Sequence, residues 1–185
     1  TASGDNVILL YVDDGVLETY EASSGKAYSS GDLTGTGWHH VALTHLGSSN
    51  THTVYLDGVA LGSNSSTVKP FLANDQWSLG QEYDGTDKGD YFQGSMDEVR
   101  IWKDVRTAAE IKANMNRSFS LDEIVSLTNL VAYYQFDNDD ATGTANGVKD
   151  ILGNDGTATS CTYNTSEVAV GNGVSETQTV NAAGT

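Results

Sequence analysis

Short apolar runs separated by Asp-Gly steps dominate the first half of this chain. Asp14-Gly15 and Asp57-Gly58 each stand between two alternating runs. Both residue types tolerate the positive φ of a tight turn, so these steps predict β-hairpins. The strands that the alternation predicts are 7–12, 16–20, 38–46, 53–56, 59–61, 76–79, 96–102 and 130–136. Short strands with frequent turns are typical of an antiparallel sandwich.

One helix interrupts the strand pattern. Thr107 and Glu110 have the spacing of a capping box, and Ile111 and Met115 follow at helical spacing. We therefore predict a helix over residues 108–116, with Ile111 and Met115 on its buried side. The helix covers an edge of the sandwich in this interpretation and carries no chemistry.

The character of the chain divides it into three regions. Residues 1–117 are expected to form the main part of the sandwich, including the helix. Residues 118–170 are expected to add further strands, of which 130–136 has Leu130, Ala132, Tyr134 and Phe136 on a single face. Residues 171–185 are polar and are expected to form a tail or linker.

The composition excludes several classes of partner. The net charge is -16, with nine basic residues among 185, so the surface repels phosphate backbones and anionic membranes. Cys161 is the only cysteine, which rules out an intrachain disulfide and a multi-cysteine zinc site. No apolar run approaches the roughly 20 residues that span a bilayer. We therefore expect neither nucleic acid nor membrane insertion, and an environment of salt and divalent cations.

An acidic loop is the strongest chemical signal in the sequence. Glu82, Asp84, Asp87 and Asp90 lie in one Gly-containing stretch between two strand-like runs. Carboxylates this close repel one another unless they are neutralised, and Ca²⁺ takes roughly six to eight oxygen ligands. The alternative is a solvated acidic turn, because the stretch lacks the fixed spacing of an EF-hand loop. The residues alone leave both interpretations open.

Several motifs occur in the order and spacing of one known family. They are Gly37–Thr44 (Gly-Trp-His-His-Val-Ala-Leu-Thr), Val54–Gly58, Leu79–Gln81, Phe92–Trp102 and Arg106–Ile111. Together they resemble the LamG-like, concanavalin A-like sandwich family, and within it the pentraxin-like branch. The resemblance covers residues 8–115 and implies an all-β, antiparallel jelly-roll β-sandwich with one short α-helix.

The resemblance also implies a calcium site. In pentraxins the residues that follow Leu-Gly-Gln supply calcium ligands. Carried over by position, this role falls on the carboxylates of Glu82, Asp84, Asp87 and Asp90, with Tyr83 offering its backbone carbonyl. Calcium is therefore the expected cofactor.

The order of the motifs departs from that of a complete family member. Residues 130–137 and 150–157 resemble the opening strand and turn of a LamG-like domain, yet they follow the helix. Either the chain is a slice across a tandem array, or this region folds back and takes the place of a missing first strand. We favour the fold-back, since family members often carry such a tail. In both cases the usual first strands are absent, which leaves a sheet edge to be covered.

These observations favour a non-catalytic, calcium-binding recognition or adhesion module of an extracellular surface protein. The expected partner is a glycan or a cell-surface protein. Trp77, Tyr83 and Tyr91 beside the acidic loop are candidate stacking residues, although core packing is the favoured role of Trp77. Trp38 and Trp102 are expected in the core.

The alternative is a structural module completed by strand exchange between neighbouring chains, as a homo-oligomer or filament. Val168–Val170 or Gln178–Val180 would be the donated strand.

Catalytic patterns are absent from the sequence. Related glucanases carry Glu-x-Asp-x-x-Glu on one strand, and no such string occurs here. Asp97 and Glu98 are adjacent, so on a strand they would point to opposite faces, and Glu98 is expected to pair across strands with a base. His45 and His52 could meet across a hairpin, but two histidines make an incomplete zinc site. We therefore do not expect an enzyme.

Overall fold

A computed structural model describes residues 8–21, 25–65, 77–84, 87–136, 147–148, 150–157, 161–164 and 179–182. The chain divides into two compact units. The first comprises residues 1–92 and 107–112, and the second comprises residues 93–106 and 113–185. Among the described residues no helix combines the length and the apolar character needed to cross a membrane.

Eight strands are described in the first unit. They are β1 (Ile8–Asp13), β2 (Val16–Glu21), β3 (Gly25–Asp32), β4 (Val41–Leu46), β5 (Thr51–Leu56), β6 (Val59–Ser65), β7 (Glu82–Asp84) and β8 (Asp87–Gly89). They form antiparallel sheets in the orders β1-β2-β3, β4-β5-β6 and β7-β8.

Two predicted Asp-Gly turns connect these strands. Asp14 and Gly15 join β1 to β2 with φ of 47° and 79°, and Asp57 and Gly58 join β5 to β6 with φ of 50° and 75°. Both residues of each turn are left-handed, as a two-residue turn matched to strand twist requires. At Gly15 a Cβ would also overlap Thr34 Oγ1. The hairpin predictions at these two steps are confirmed.

The core of the first unit lies in the middle strands of the two larger sheets. Leu17 and Thr19 of β2 are 2% exposed, and Val54 of β5 is 1% exposed. In β2 the buried residues alternate with more accessible neighbours, because successive strand residues face opposite sides of a sheet. In β5 the adjacent Tyr55 is buried as well, at 8% exposed, so this strand is buried on both faces at Val54 and Tyr55.

The remaining elements are β9 (Ser95–Met96), β10 (Val99–Trp102), α1 (Ala108–Asn114), α2 (Leu121–Ser126), β11 (Leu130–Tyr134), β12 (Gly147–Val148), β13 (Gly156–Thr157), β14 (Cys161–Asn164) and β15 (Thr179–Ala182). The strands pair as β10-β11, β12-β13 and β14-β15-β9, all antiparallel. Strand β11 follows both helices in the sequence and pairs with β10. Strand β15 lies within the segment expected to be a tail.

An aromatic and aliphatic cluster forms the core of the second unit. Its buried members are Phe119, Ile124, Leu130 and Tyr133, with Trp102 packed against them. Tyr133 has no exposed surface at all, although strict alternation puts it opposite Leu130 and Ala132. The prediction that only one face of this strand is buried is therefore incomplete. The ring of Tyr133 lies on the other face and packs against the ring of Phe119, with the two centroids 5.7 Å apart.

Both helices begin with capping boxes. The Thr107 hydroxyl accepts from Glu110 N–H at 3.2 Å, and Glu110 Oε2 accepts from Thr107 N–H at 2.8 Å. This confirms the predicted start of α1, which ends at Asn114, two residues before the predicted end. The prediction of one helix was wrong, because α2 begins at a second capping box formed by Ser120 and Glu123.

Other differences concern segments with weak alternation. Strand β3 was not predicted, and residues 38–40 and 77–79 are not strands. Asp97 and Glu98 interrupt the predicted strand 96–102, where Glu98 has a φ of 56°. Several predicted features lie outside the described residues, namely positions 7 and 76, the candidate strand 168–170, and the tail other than 179–182.

Candidate functional site

The acidic loop is a two-stranded hairpin. In the register of β7 and β8, Glu82 stands opposite Gly89, Tyr83 opposite Lys88, and Asp84 opposite Asp87. Since positions two apart on a strand and directly opposed positions share a face, Glu82, Asp84 and Asp87 occupy positions on one face of the ribbon. The β7-β8 register therefore puts three of the four predicted carboxylate positions on the same face of the ribbon.

Asp90 directly follows β8 in a left-handed conformation. Its φ is 43°, a value that Asp adopts more readily than most side chains. Asp90 lies outside the β7-β8 ladder, so the register does not place it on the face shared by the other three carboxylate positions.

Hydrogen bonds close the base of the hairpin. Phe92 N–H donates to the carbonyl of Gly80 at 2.9 Å, which ties the incoming and outgoing segments together. On the incoming side, Ser78 Oγ donates to the carbonyl of Gln81 at 2.7 Å. Gln81 Nε2 then donates to the hydroxyl of Tyr83 at 3.1 Å. The base of the loop therefore has an ordered hydrogen-bond framework.

Two exposed aromatic side chains flank this base. Trp77 is 62% exposed and Tyr91 is 44% exposed. Trp77 lies three residues before Gly80, whose carbonyl accepts the hydrogen bond that closes the hairpin. Tyr91 lies directly before Phe92, whose N–H donates that bond. Tyr83, in contrast, is partly buried. The predicted stacking residues Trp77 and Tyr91 are thus exposed, and the expected core packing of Trp77 is wrong.

The donor set suits a hard cation by its chemistry. The predicted ligands are all oxygen atoms, from Glu82, Asp84, Asp87, Asp90 and the Tyr83 carbonyl, and calcium prefers oxygen ligands. Within the parts of the chain that the structure describes, no three His, Cys, Asp or Glu residues are gathered into a group that could hold a metal. The calcium site therefore stays a prediction.

Glu98 belongs to a partly buried polar cluster of the second unit. Its carboxylate pairs with the guanidinium of Arg100 and accepts from Tyr133 OH at 2.6 Å and from Ser118 Oγ at 2.8 Å. The base that pairs with Glu98 is two residues along the same segment, so the expectation of a cross-strand base was wrong. Tyr133 supplies the contact from the neighbouring strand. Burial and the nearby Glu98 carboxylate raise the pKa of Tyr133, although Arg100 opposes this effect.

Histidine positions follow the hairpin registers. His45 stands opposite His52, and their rings stack with centroids 4.3 Å apart and planes inclined by 12°. This confirms that the two side chains meet across the hairpin. The parallel stacking of the two imidazole rings is a packing contact. The sequence analysis likewise predicts no metal site at these two histidines.

The two tryptophans expected in the core differ in environment. Trp102 is partly buried, lies edge-on to Phe119 at 6.1 Å and is covered by Arg106 at 4.3 Å. Trp38 is 44% exposed and precedes β4, so its placement in a core strand was wrong. Two glycines just before Trp38, Gly35 and Gly37, are the feature of the sequence that indicates a loop here. Both have a positive φ in the structure.

Comparison with known proteins identifies the family. The family model of the concanavalin A-like lectin/glucanases superfamily matches residues 1–112, more than half of the chain. The chain therefore belongs to this superfamily, which confirms the predicted concanavalin A-like family. The antiparallel sheets and short helices likewise confirm the predicted all-β class.

Two solved structures are similar to the chain. A candidate carbohydrate-binding protein from Bacteroides ovatus aligns with a TM-score of 0.60 and 22% identity, over 83% of this chain and 44% of that protein. An S-layer domain-containing protein from Clostridium thermocellum aligns with a TM-score of 0.39 and 24% identity, over 60% of this chain and 63% of that one. The chain thus spans less than two thirds of either protein, and the first likeness concerns the fold alone. No curated protein matches the sequence.

Proposed function

We propose that this domain is a non-catalytic glycan-recognition module of an extracellular surface protein, and that Ca²⁺ held by its acidic hairpin takes part in recognition. One observation carries the proposal: Trp77 and Tyr91 are exposed at the closed base of a hairpin that bears carboxylates. Membership of a superfamily that includes lectins supports it.

Exposed aromatic rings and carboxylates suit a sugar, because a sugar presents both apolar C–H faces and polar hydroxyl groups. An indole or phenol ring offers an apolar face against which the C–H groups of a pyranose can pack. Carboxylate oxygens accept hydrogen bonds from sugar hydroxyls. Because a hydrogen-bonded base limits the movement of the hairpin, little ordering free energy would be spent on binding.

The proposed calcium ligands are the carboxylates of Glu82, Asp84, Asp87 and Asp90 and the carbonyl of Tyr83. Bound Ca²⁺ would neutralise these carboxylates and offer open coordination positions to a ligand. In its absence, the paired positions of Asp84 and Asp87 place two acidic residues opposite each other, where like charges are unfavourable.

A non-catalytic role is supported by the environment of Glu98. A glycosidase needs a carboxyl group that reaches the sugar. The carboxylate of Glu98 is instead engaged by Arg100, Tyr133 and Ser118. An extracellular location is supported by the net charge of -16 and by the superfamily.

Glycan screening tests the proposal directly. We expect the protein to bind a subset of immobilised glycans in millimolar Ca²⁺ and to lose this binding in excess chelator. Trp77→Ala and Tyr91→Ala should each weaken it, whereas Tyr20→Ala, which removes an exposed tyrosine of β2, should not. Binding unaffected by both loop variants would contradict the assignment of the site.

Thermal melts test the calcium component. A ligand at 100 times its Kd stabilises the folded state by about 2.7 kcal/mol, which should raise the melting midpoint by roughly 5–10 °C for a domain of this size. Asp84→Asn and Asp87→Asn should abolish the rise, whereas Asp122→Asn on helix α2 should retain it. An equal midpoint with and without Ca²⁺ would mean that the hairpin carboxylates form a solvated turn.

Strand exchange is a second candidate function. The supporting observation is that β15, near the end of the sequence, lies between β14 and β9 in a three-stranded sheet. A neighbouring chain could supply this strand through the same main-chain hydrogen bonds. Concentration-dependent assembly in sedimentation, lost on deletion of residues 171–185, would favour this function. A monomer at every concentration would exclude it.

A further inference from the structure

Trp38 lies on a segment that hydrogen bonds hold in place. Thr36 N–H donates to the carbonyl of Leu33 at 3.2 Å, and Thr36 Oγ1 lies 2.6 Å from His39 Nε2. The other ring nitrogen, His39 Nδ1, lies 2.8 Å from Asp57 Oδ2. These contacts hold the residues on both sides of Trp38.

The same carboxylate anchors the next residue. His40 N–H donates to Asp57 Oδ1 at 3.0 Å, and Asp57 N–H donates to the carbonyl of His40 at 2.8 Å. Asp57 is itself one of the two turn residues between β5 and β6. The segment that carries Trp38 is therefore attached to a tight turn, and the exposed indole stands on an ordered base.

Exposed apolar side chains lie at the same end of this sheet. Val41 and Val59 each stand opposite Leu56 in the register, one on either side of it, and are 41% and 62% exposed. Val41 follows Trp38 by three residues. We call Trp38, Val41 and Val59 the Trp38 patch. Its members share a location near the Asp57 turn: Trp38 lies two residues before His40, which exchanges hydrogen bonds with Asp57, and the two valines flank Leu56, the residue before that turn.

We propose that the Trp38 patch is a second glycan-contact surface, which binds a neutral sugar unit with the indole as its stacking platform. This inference rests on the proposed function and adds a contact that the acidic hairpin does not supply. The side chain of Asp57, about half exposed, provides a hydrogen-bond acceptor for a hydroxyl. The net charge of -16 and the Asp57 carboxylate disfavour sulfated or uronic acid units, which leaves neutral sugars as the class.

Titration calorimetry with neutral polysaccharide fragments tests the inference. Trp38→Ala should weaken binding by about 5- to 10-fold, the loss expected for a stacking contact worth about 1–1.4 kcal/mol. Trp38→Tyr, which keeps an aromatic platform, should restore most of the affinity. Val105→Ala, an exposed apolar residue outside the patch, is the matched control. Because the indole is exposed, the melting midpoint of Trp38→Ala should stay within a few degrees of the wild type.

The outcomes separate this inference from the function on which it depends. Wild-type affinity in Trp38→Ala, with loss in Trp77→Ala, would overturn the Trp38 patch and leave the proposed function standing. Loss in Trp38→Ala, with wild-type affinity in Trp77→Ala, would support the patch and overturn the hairpin assignment. No binding of any glycan by the wild type would overturn both proposals. If Trp38→Ala changed only the sedimentation of the protein, the patch would be a protein interface and the inference wrong.

Discussion

The phenol ring of Tyr28 lies directly against the Cα of Gly62, so that β3 and β6 meet where one strand has no side chain. A Cβ built on Gly62 would overlap the Tyr28 ring. The Tyr28 hydroxyl also donates to the carbonyl of Ser63, the next residue. The tyrosine therefore joins two sheets of the first unit through both its ring and its hydroxyl.

Gly62→Ala should destabilise the protein, because the added methyl group has no space beneath the ring. Overpacking of this kind costs about 1–3 kcal/mol, or roughly 2–12 °C in melting midpoint for a domain of this size. Gly31→Ala is the matched control, since no atom lies within 4 Å of its added Cβ. An unchanged midpoint in Gly62→Ala would show that Tyr28 moves aside at no cost.

Tyr133→Phe should lower the free energy of unfolding by about 1–3 kcal/mol, since it removes the acceptor of the buried Phe119 N–H and one of the hydrogen bonds to Glu98. The lost hydroxyl donates to Glu98 Oε2 at 2.6 Å and accepts from Phe119 N–H at 3.2 Å. Tyr134→Phe, which removes a hydroxyl bonded to the carbonyl of Asn154, is the control. Its hydrogen bond is exposed, so a smaller effect is expected in chemical denaturation. Equal effects would contradict the importance of burial.

Asp150 should make the stability of the protein depend on pH in acid. Burial alone would raise the pKa of its carboxyl, but hydrogen bonds from the N–H groups of Tyr133, Asn154 and Leu152 and from the Asn154 side chain lower it. Because the folded pKa is depressed, the stabilisation is present above the unfolded pKa, about 3.9. It is lost as the pH falls through the folded pKa.

Asp150→Asn should therefore lose stability at neutral pH and show a flatter dependence below about pH 4. The loss should be about 1–3 kcal/mol, since charge-assisted hydrogen bonds are replaced by neutral ones. Denaturant unfolding at a series of pH values measures both effects. Asp122→Asn on α2, an exposed carboxylate, serves as the comparison. Parallel pH profiles for Asp150→Asn and the wild type would contradict this account.

Ser120→Ala should destabilise helix α2. The variant removes the hydroxyl that accepts from Glu123 N–H at 3.3 Å, and loss of such a cap costs about 0.5–2 kcal/mol. The Ser120 backbone N–H, followed by Arg117, lowers the pKa of Glu123 to about 2. Ser120→Thr should preserve the cap, and thermal melts compare the two. In NMR titration the pKa of Glu123 should stay low in Ser120→Thr; a normal value there would contradict the capping geometry.

Local signals explain how much of the fold could be predicted. Asp14-Gly15 and Asp57-Gly58 specify their turns through the φ values of two adjacent residues, and the flanking registers follow from alternation. The start of α1 is equally local. Ser120 and Glu123 carry the same capping signal, and Leu121, Ile124 and Val125 follow at helical spacing, so the start of α2 is also a local feature of the sequence. Strand β3 contains little alternation, since Gly25–Asp32 is mostly small and polar.

Burial could not be predicted where it depends on distant partners. Trp38 is apolar and next to a strand, yet its exposure follows from the loop that His39 and Asp57 fix. Tyr133 is buried on the face expected to be open because Phe119, fourteen residues earlier, packs on it. For the acidic hairpin, the sequence predicts that the carboxylates lie in one loop. The structure adds the β7-β8 register, which shows which of their positions lie opposite each other. Calcium binding remains a prediction.

The left-handed backbone of Glu98 lies between two short strands that belong to different sheets. Before it, β9 pairs with β15; after it, β10 pairs with β11. Asp97 and Glu98 thus act as a corner at which the chain leaves one sheet and enters another, and Asp97 Oδ1 braces the corner by accepting from Glu98 N–H at 2.9 Å. A residue that tolerates this backbone poorly, such as a β-branched one, would disturb both sheets together. Position 98 therefore marks the boundary between a strand that pairs with β15 and a strand that pairs with β11, although these two partners are far apart in the sequence.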